Sequence, residues 1–143
     1  METRQQFDQL LRERESATGF HVPELLHEYL VELLDSRLTR VDIIPDPSFG
    51  ERYLLLQQTP SASAFKDYAD TCLFFTSLLP EYGQRRGLSL DYYCTLGISS
   101  YYLAGDLARE ACYTQLGNWF YHLQKFLNSA VKPNVNLELF KIY

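Results

Sequence analysis

The chain is poor in the features that announce chemistry. Among its 143 residues no apolar run approaches the ~18–20 residues that cross a bilayer, so no membrane partner is expected. Its three cysteines, Cys72, Cys94 and Cys112, are far apart and form no C-x-x-C pair. An odd, scattered set argues against a disulfide framework and fits a reducing compartment. The three histidines, His21, His27 and His122, are too dispersed for a zinc set, and none falls mid-chain where a helical protein of this length would ligate haem. No glycine-rich loop leads from a strand into a helix, which removes the dinucleotide and P-loop fingerprints. No G-x-S-x-G occurs, and no cysteine sits in an electropositive turn, so no activated nucleophile is in view.

A basic excess is also missing. Residues 1–60 carry six Arg or Lys against eleven Asp or Glu, and residues 61–143 carry seven of each, giving the net charge of −5. Phosphate backbones require a basic face, so nucleic acid is not an expected partner. The opening stretch METRQQFDQLLRERE is too charged for a signal peptide, and the expected location is the cytoplasm.

What is present is apolar and periodic. Hydrophobic residues make up 46% of the chain and charged residues 22%, enough for the core of one domain. The patterns predict a single all-α domain over residues 1–143, a bundle of five to six helices with an extended tail over residues 132–143. Thr3–Glu15 gives a short helix with Phe7, Leu10 and Leu11 inward. Val22–Val41 is the cleanest helix: Val22, Leu25, Leu26, Tyr29, Leu30, Leu33, Leu34 and Leu38 obey the i, i+3, i+4, i+7 rule. Pro23 is placed at its first helical position, and Glu24, Glu28, Glu32 and Asp35 mark its wet face. Pro45 and Pro47 prevent the helix from continuing past Ile44. Ser48-Phe49-Gly50-Glu51 then reads as a capping box, opening a short helix through Gln58.

Thr59-Pro60-Ser61 opens the next helix, Ser61–Leu79, apolar almost all round and so expected at the centre. Pro80, Gly83 and Gly87 bracket a turn. Ser89 caps a long helix to Cys112, on which Gly97, Ser100, Ala104 and Ala108 form a small-residue seam that admits a close neighbour. Tyr113–Val131 is the last helix, with Leu116, Trp119, Phe120, Leu123, Phe126, Leu127 and Ala130 on one side. From Val135 to Tyr143 the period falls to two, and an extended tail lying over the bundle is expected.

Candidate chemistry gathers in one region. The run from Asp70 to Ala108, with Tyr113 just beyond it, holds Tyr82, Tyr92, Tyr93, Tyr101, Tyr102 and Tyr113, six of the eleven tyrosines. Tyrosine joins an apolar ring to a polar tip and suits pocket walls and interfaces. Asp70, beside Leu73 and Phe74, must be paired or protonated. Arg85, Arg86, Tyr92 and Tyr93 are its expected partners, and Asp106 is a second acid in an apolar helix. This acid facing an Arg-Arg loop and a Tyr-Tyr pair is either a ligand cleft or a polar tether for the Gln84–Leu88 loop, and the tether is favoured. Elsewhere Glu24 and His27 form an E-x-x-H on a polar helix face. One such motif falls short of a di-iron set, and a solvated acidic face is expected.

Residues 73–104, LFFTSLLPEYGQRRGLSLDYYCTLGISSYYLA, together with Asp70, resemble a family of small bacterial all-helical proteins of unknown function. The shared features are Asp70, Leu73-Phe74, Pro80-Glu81, Arg85-Arg86, Tyr92-Tyr93 and Gly97–Tyr101. The resemblance implies a bacterial, cytoplasmic, helical protein and carries no catalytic motif. With Glu81 and Tyr101 added from these features, the candidate ligand-binding set is Asp70, Glu81, Arg85, Arg86, Tyr92, Tyr93 and Tyr101. No catalytic residue, metal or cofactor is implied. The function expected is non-enzymatic interaction with protein, a homodimer first. The alternatives are a small-molecule binder or enzyme using the Asp70 cleft, and a metal-dependent helical enzyme built on Glu24 and His27.

Overall fold

The computed structural model describes residues 2–38, 48–81 and 89–134. Six helices make up nearly all of them: α1 Glu2–Thr18, α2 Glu24–Arg37, α3 Phe49–Gln58, α4 Ala62–Leu78, α5 Leu90–Ala108 and α6 Ala111–Val131. The fold is all-α, and no strand occurs among the described residues. The expected turn at Gly83 and Gly87, with Tyr82, Arg85 and Arg86, lies outside the described residues, as do the Pro45-Pro47 break and residues 135–143 of the expected tail; residues 132–134, expected to be extended, instead form a turn that follows the last helix.

Helix α4 is the axle. From Tyr68 to Leu78 every residue is buried, because α5 and α6 pack along it while α2 and α3 cover its remaining sides. Its buried threonine and serine hydroxyls are satisfied within the helix: Thr76 Oγ1 donates to the Cys72 carbonyl at 2.7 Å and Ser77 Oγ to the Leu73 carbonyl at 2.5 Å. Ser61 caps its start, accepting from the Ala64 amide, and Ser89 caps α5 in the same way through Tyr92. Ser48 stands at the N-cap of α3 with φ −91° and ψ 7° and makes no capping bond through its side chain. The side chain needs extended backbone to reach the first-turn amides, so the expected capping box does not form.

The small-residue seam lies inside the bundle. Gly97, Ser100 and Ala104 are buried, and a Cβ on Gly97 would lie 2.7 Å from Cys72 Cβ and 2.8 Å from the Phe120 ring. The close neighbours are therefore α4 and α6 of the same chain. Ala108, the expected fourth member, is exposed.

Several boundaries differ from expectation. Helix α2 ends at Arg37 with Leu38 as its C-cap, short of the expected Val41, and α6 opens at Ala111, before Tyr113. Helix α1 runs to Thr18, beyond Glu15, and Gly19 at φ 72° turns the chain toward α2. Pro23 is the N-cap of α2, with extended ψ of 140°, where N1 was expected. The long helix expected to reach Cys112 stops at Ala108, because Arg109 adopts left-handed φ and ψ of 54° and 43°, and the Arg109 and Glu110 amides both return to the Gly105 carbonyl. Glu110 then opens α6, its carboxylate accepting from the Cys112 amide. A left-handed arginine leaves no Gly or Pro signal in the sequence.

Candidate functional site

Asp70 stands on α4 where α2 and α5 meet it. Only 3% of the residue is exposed. Its Oδ1 accepts from the Tyr29 hydroxyl of α2 at 2.6 Å and from the Tyr101 hydroxyl of α5 at 2.7 Å. Its Oδ2 faces Lys66 Nζ at 3.1 Å, one turn earlier on α4. The Lys66 ammonium also lies 5.5 Å from the centre of the Tyr29 ring, in cation–π range. Tyr29 in turn meets the Tyr101 and Tyr113 rings edge-on at 6.5 and 6.3 Å.

Burial pushes the Asp70 carboxyl up from its ordinary value, against the pull of Lys66 and of the two phenols. Burial, reinforced by the nearby Asp70 charge, pushes Tyr29 and Tyr101 up as well. Both phenols therefore keep their protons and donate. The cluster is a fixed acceptor with two neutral donors and one ammonium, binding three helices together.

Next to it Arg37 of α2 is 3% exposed. Its guanidinium donates to Thr71 Oγ1 at 2.8 Å, to the Asp67 carbonyl at 3.1 Å and to the Asp67 carboxylate at 2.6 Å. Between α2 and α4 a recess of about 260 Å³ opens over Tyr29, Arg37, Lys66, Asp67 and Asp70.

Three of the residues expected around Asp70 are elsewhere. Tyr101 does meet it. Tyr93 is buried on the far side of α4, 5.0 Å from the Phe75 ring and 6.0 Å from the Phe49 ring. Tyr92 is half exposed, its hydroxyl lying over Gly50 of α3. Glu81 pairs with Lys132 at 3.6 Å. Arg85 and Arg86 lie outside the described residues. Asp106 is exposed. The cluster joins α2, α4 and α5, and the Gln84–Leu88 loop, the expected object of the tether, lies outside the described residues. The partners missed were Tyr29 and Lys66. Lys66 stands four residues before Asp70, a spacing that pairs opposite charges on a helix. Tyr29 lies forty-one residues away on another helix, and its position in the apolar stripe of α2 marked it only as core.

His27 needs a second correction. It is buried at 1% exposure, not on a solvated face. Its Nε2 lies 2.6 Å from an Asp8 oxygen and its Nδ1 2.9 Å from a Glu15 oxygen, both on α1. Helix α1 covers that side of α2, which the repeat of α2 alone did not reveal. Glu24, the other half of the E-x-x-H, points outward to Arg12 at 2.8 Å. Among the described residues no group of three or more His, Cys, Asp or Glu is arranged to hold a metal ion.

The bond to His27 holds the Asp8 carboxyl below its ordinary value of 3.8. A lowered folded value stabilises the fold above the ordinary value and loses that contribution as pH falls through the folded one. Asp8→Asn is therefore expected to cost about 1 kcal/mol at neutral pH, the lower end for a bond whose acceptor is partly solvated. Its unfolding free energy should also depend less on pH below neutrality than the parent's, in urea titrations at several pH values. Parallel curves would contradict the assignment.

Comparison with protein-family models, with curated protein sequences and with solved structures finds no match to this chain. Its class therefore rests on its own geometry: an all-α bundle, with six helices among the described residues and a buried carboxylate–phenol–ammonium cluster at the junction of three of them. Among the described residues no helix is long and apolar enough to cross a membrane.

Proposed function

We propose that the protein is a non-enzymatic interaction protein that pairs with a second copy of itself through the outer face of α3. The observation that carries this reading is the exposure of Leu54 and Leu55, at 60% and 58%, on a helix whose other side is already engaged. Tyr68 donates to the Phe49 carbonyl at 2.7 Å, and Tyr53 and Ser99 share a hydroxyl bond, so α3 is fixed to the bundle with Leu54 and Leu55 outward and Leu56 against the core. Tyr92, 41% exposed, lies over Gly50, one turn before Leu54, and extends the patch. Leucine and tyrosine grouped on a fixed surface are the material of an interface core.

The choice of a second copy is supported by charge. Glu51 and Arg52 are adjacent and exposed on the same helix. A two-fold axis across α3 sets each against the opposite charge of the other copy, as an isologous contact requires. The non-enzymatic reading is supported by the Asp70 cluster, whose donors and acceptors are spent on one another. Three buried, unpaired cysteines favour a reducing, cytoplasmic setting.

Light scattering across a series from low to high micromolar protein tests the pairing. The mass is expected to rise with concentration from 16.7 kDa toward twice that value. The Leu54→Glu, Leu55→Glu double variant is expected to remain at 16.7 kDa while keeping its helical circular dichroism. A parent protein that holds the monomer mass throughout the series overturns the proposal.

A further inference from the structure

We infer that the groove between the α1–α2 connection and α6 is a binding site for a small aromatic carboxylate. Gly19 turns the chain so that the Phe20 ring folds back onto α6, 5.6 Å from the Phe126 ring and 5.9 Å from the Trp119 ring. His122 stands 6.2 Å from the Phe20 ring and 6.1 Å from the Trp119 ring. Phe20, Phe126, His122, Lys125 and Ser129 line an open hollow of about 330 Å³ at this junction. That volume is at the small end of ligand pockets and suits one ring with a short side arm.

Charge selects the class of ligand. Among the described residues the ionisable side chains lining the cavity are Lys125 and His122, and none of the described lining residues is acidic, although the whole chain carries −5. Arg14 adds a third basic group at one end, its Nε donating to Ser129 Oγ at 3.1 Å. An apolar wall of two phenylalanines with an exposed ammonium at its rim is complementary to an apolar body bearing one negative charge. The carboxylate meets Lys125 through a charge-assisted bond, and the ring packs against Phe20 and Phe126. An inorganic phosphate would leave the aromatic walls unused, and an amine would face only basic groups. This site shares no residue with the Asp8–His27 contact or with the α3 patch, so it stands independently of self-association.

The test uses the full chain and 3-phenylpropionate as probe, with 3-phenylpropanamide and 3-phenylpropylamine as neutral and cationic isosteres. Trp119 is the only tryptophan, so its emission reports the site, and calorimetry supplies the affinity. A saturable change with 3-phenylpropionate is expected, with the amine at least about tenfold weaker, the loss of one charge-assisted bond. Lys125→Gln, a surface change that keeps the fold, is expected to weaken the carboxylate about tenfold and to leave the amide unchanged. Phe20→Ser is expected to weaken all three ligands. The inference is overturned by no saturation in the millimolar range, by equal affinity for acid and amine, or by a Lys125→Gln variant that binds the carboxylate as the parent does.

Discussion

Asp70→Ala is expected to destabilise the fold by about 3 kcal/mol, measured by urea unfolding at neutral pH. Removing the carboxylate leaves the Tyr29 and Tyr101 hydroxyls without their acceptor at a three-helix junction, each at the cost of a buried unsatisfied donor. Lys66 adds little to the loss, because its side chain is 38% exposed and its ammonium can turn to solvent. Asp70→Asn keeps an acceptor oxygen for the phenols and should recover much of the loss. It sets an amide against the Lys66 ammonium, so recovery is incomplete. A cost below about 1 kcal/mol for the alanine variant would mean that the phenols find other acceptors.

The same residue fixes a pH dependence. Burial raises the folded value of Asp70 above the ordinary 3.8, so the charged form burdens the fold above the raised value. As pH falls from that value toward 3.8 the folded state takes up the proton first, and the burden lifts. The parent should therefore gain stability relative to Asp70→Asn on acidification through this window. This trend is opposite in sign to that of Asp8, whose contribution is lost as pH falls. A comparison of the two asparagine variants across the same buffers separates them.

Gly97→Ala is expected to cost about 3 kcal/mol, even after the roughly 1 kcal/mol by which alanine favours a helix over glycine. The new methyl would lie 2.7 Å from Cys72 Cβ and 2.8 and 2.9 Å from two Phe120 ring atoms. A Cβ on the central helix cannot swing away, and the Phe120 ring is fully buried. Relief requires α5 to move off α4 and α6 together. Gly117→Ala offers a control. Its methyl would meet the Tyr102 ring at 2.7 Å, but that tyrosine is 37% exposed and can rotate outward. A small net effect is expected there. Equal costs at the two glycines would refute the packing account.

Several elements were legible from local pattern. The stripe on α6 from Leu116 through Ala130 is buried as read, with Trp119 at its edge, because one apolar face of a helix can only turn inward. The apolar character of α4, almost all round, marked it as the axle. Ser61 and Ser89 announced their helices, since a capping side chain acts within three residues. Leu25 misled: it fits the stripe of α2 and is 54% exposed, while Val31 and Arg37 are buried in its stead. The period fixes an angle around the helix and leaves open which neighbours cover it.

The candidate site was half legible. Asp70 stood out because an acid amid leucine and phenylalanine demands partners, and Tyr101 was in the expected set. The identity of the other partners was not in the local sequence. Tyr29 reaches Asp70 across forty-one residues, and His27 reaches Asp8 and Glu15 across nineteen and twelve, distances that only helix packing closes. The seam at Gly97 was visible as small residues, but whether its neighbour was this chain or another was not.

The amino-acid sequence by itself determined that this protein is a helical bundle, where most helices start, which residues form its core and that Asp70 must be bonded. Those properties come from forces acting within a few turns: periodic burial, capping and the cost of an unpaired buried charge. The tertiary structure alone decided that α4 is enclosed by α5 through Gly97, that Tyr29, Lys66 and Tyr101 hold Asp70, that α1 buries His27, and that Leu54 and Leu55 remain outside. Each of these depends on which helix faces meet, and that is set by the joint packing of the helices around one core.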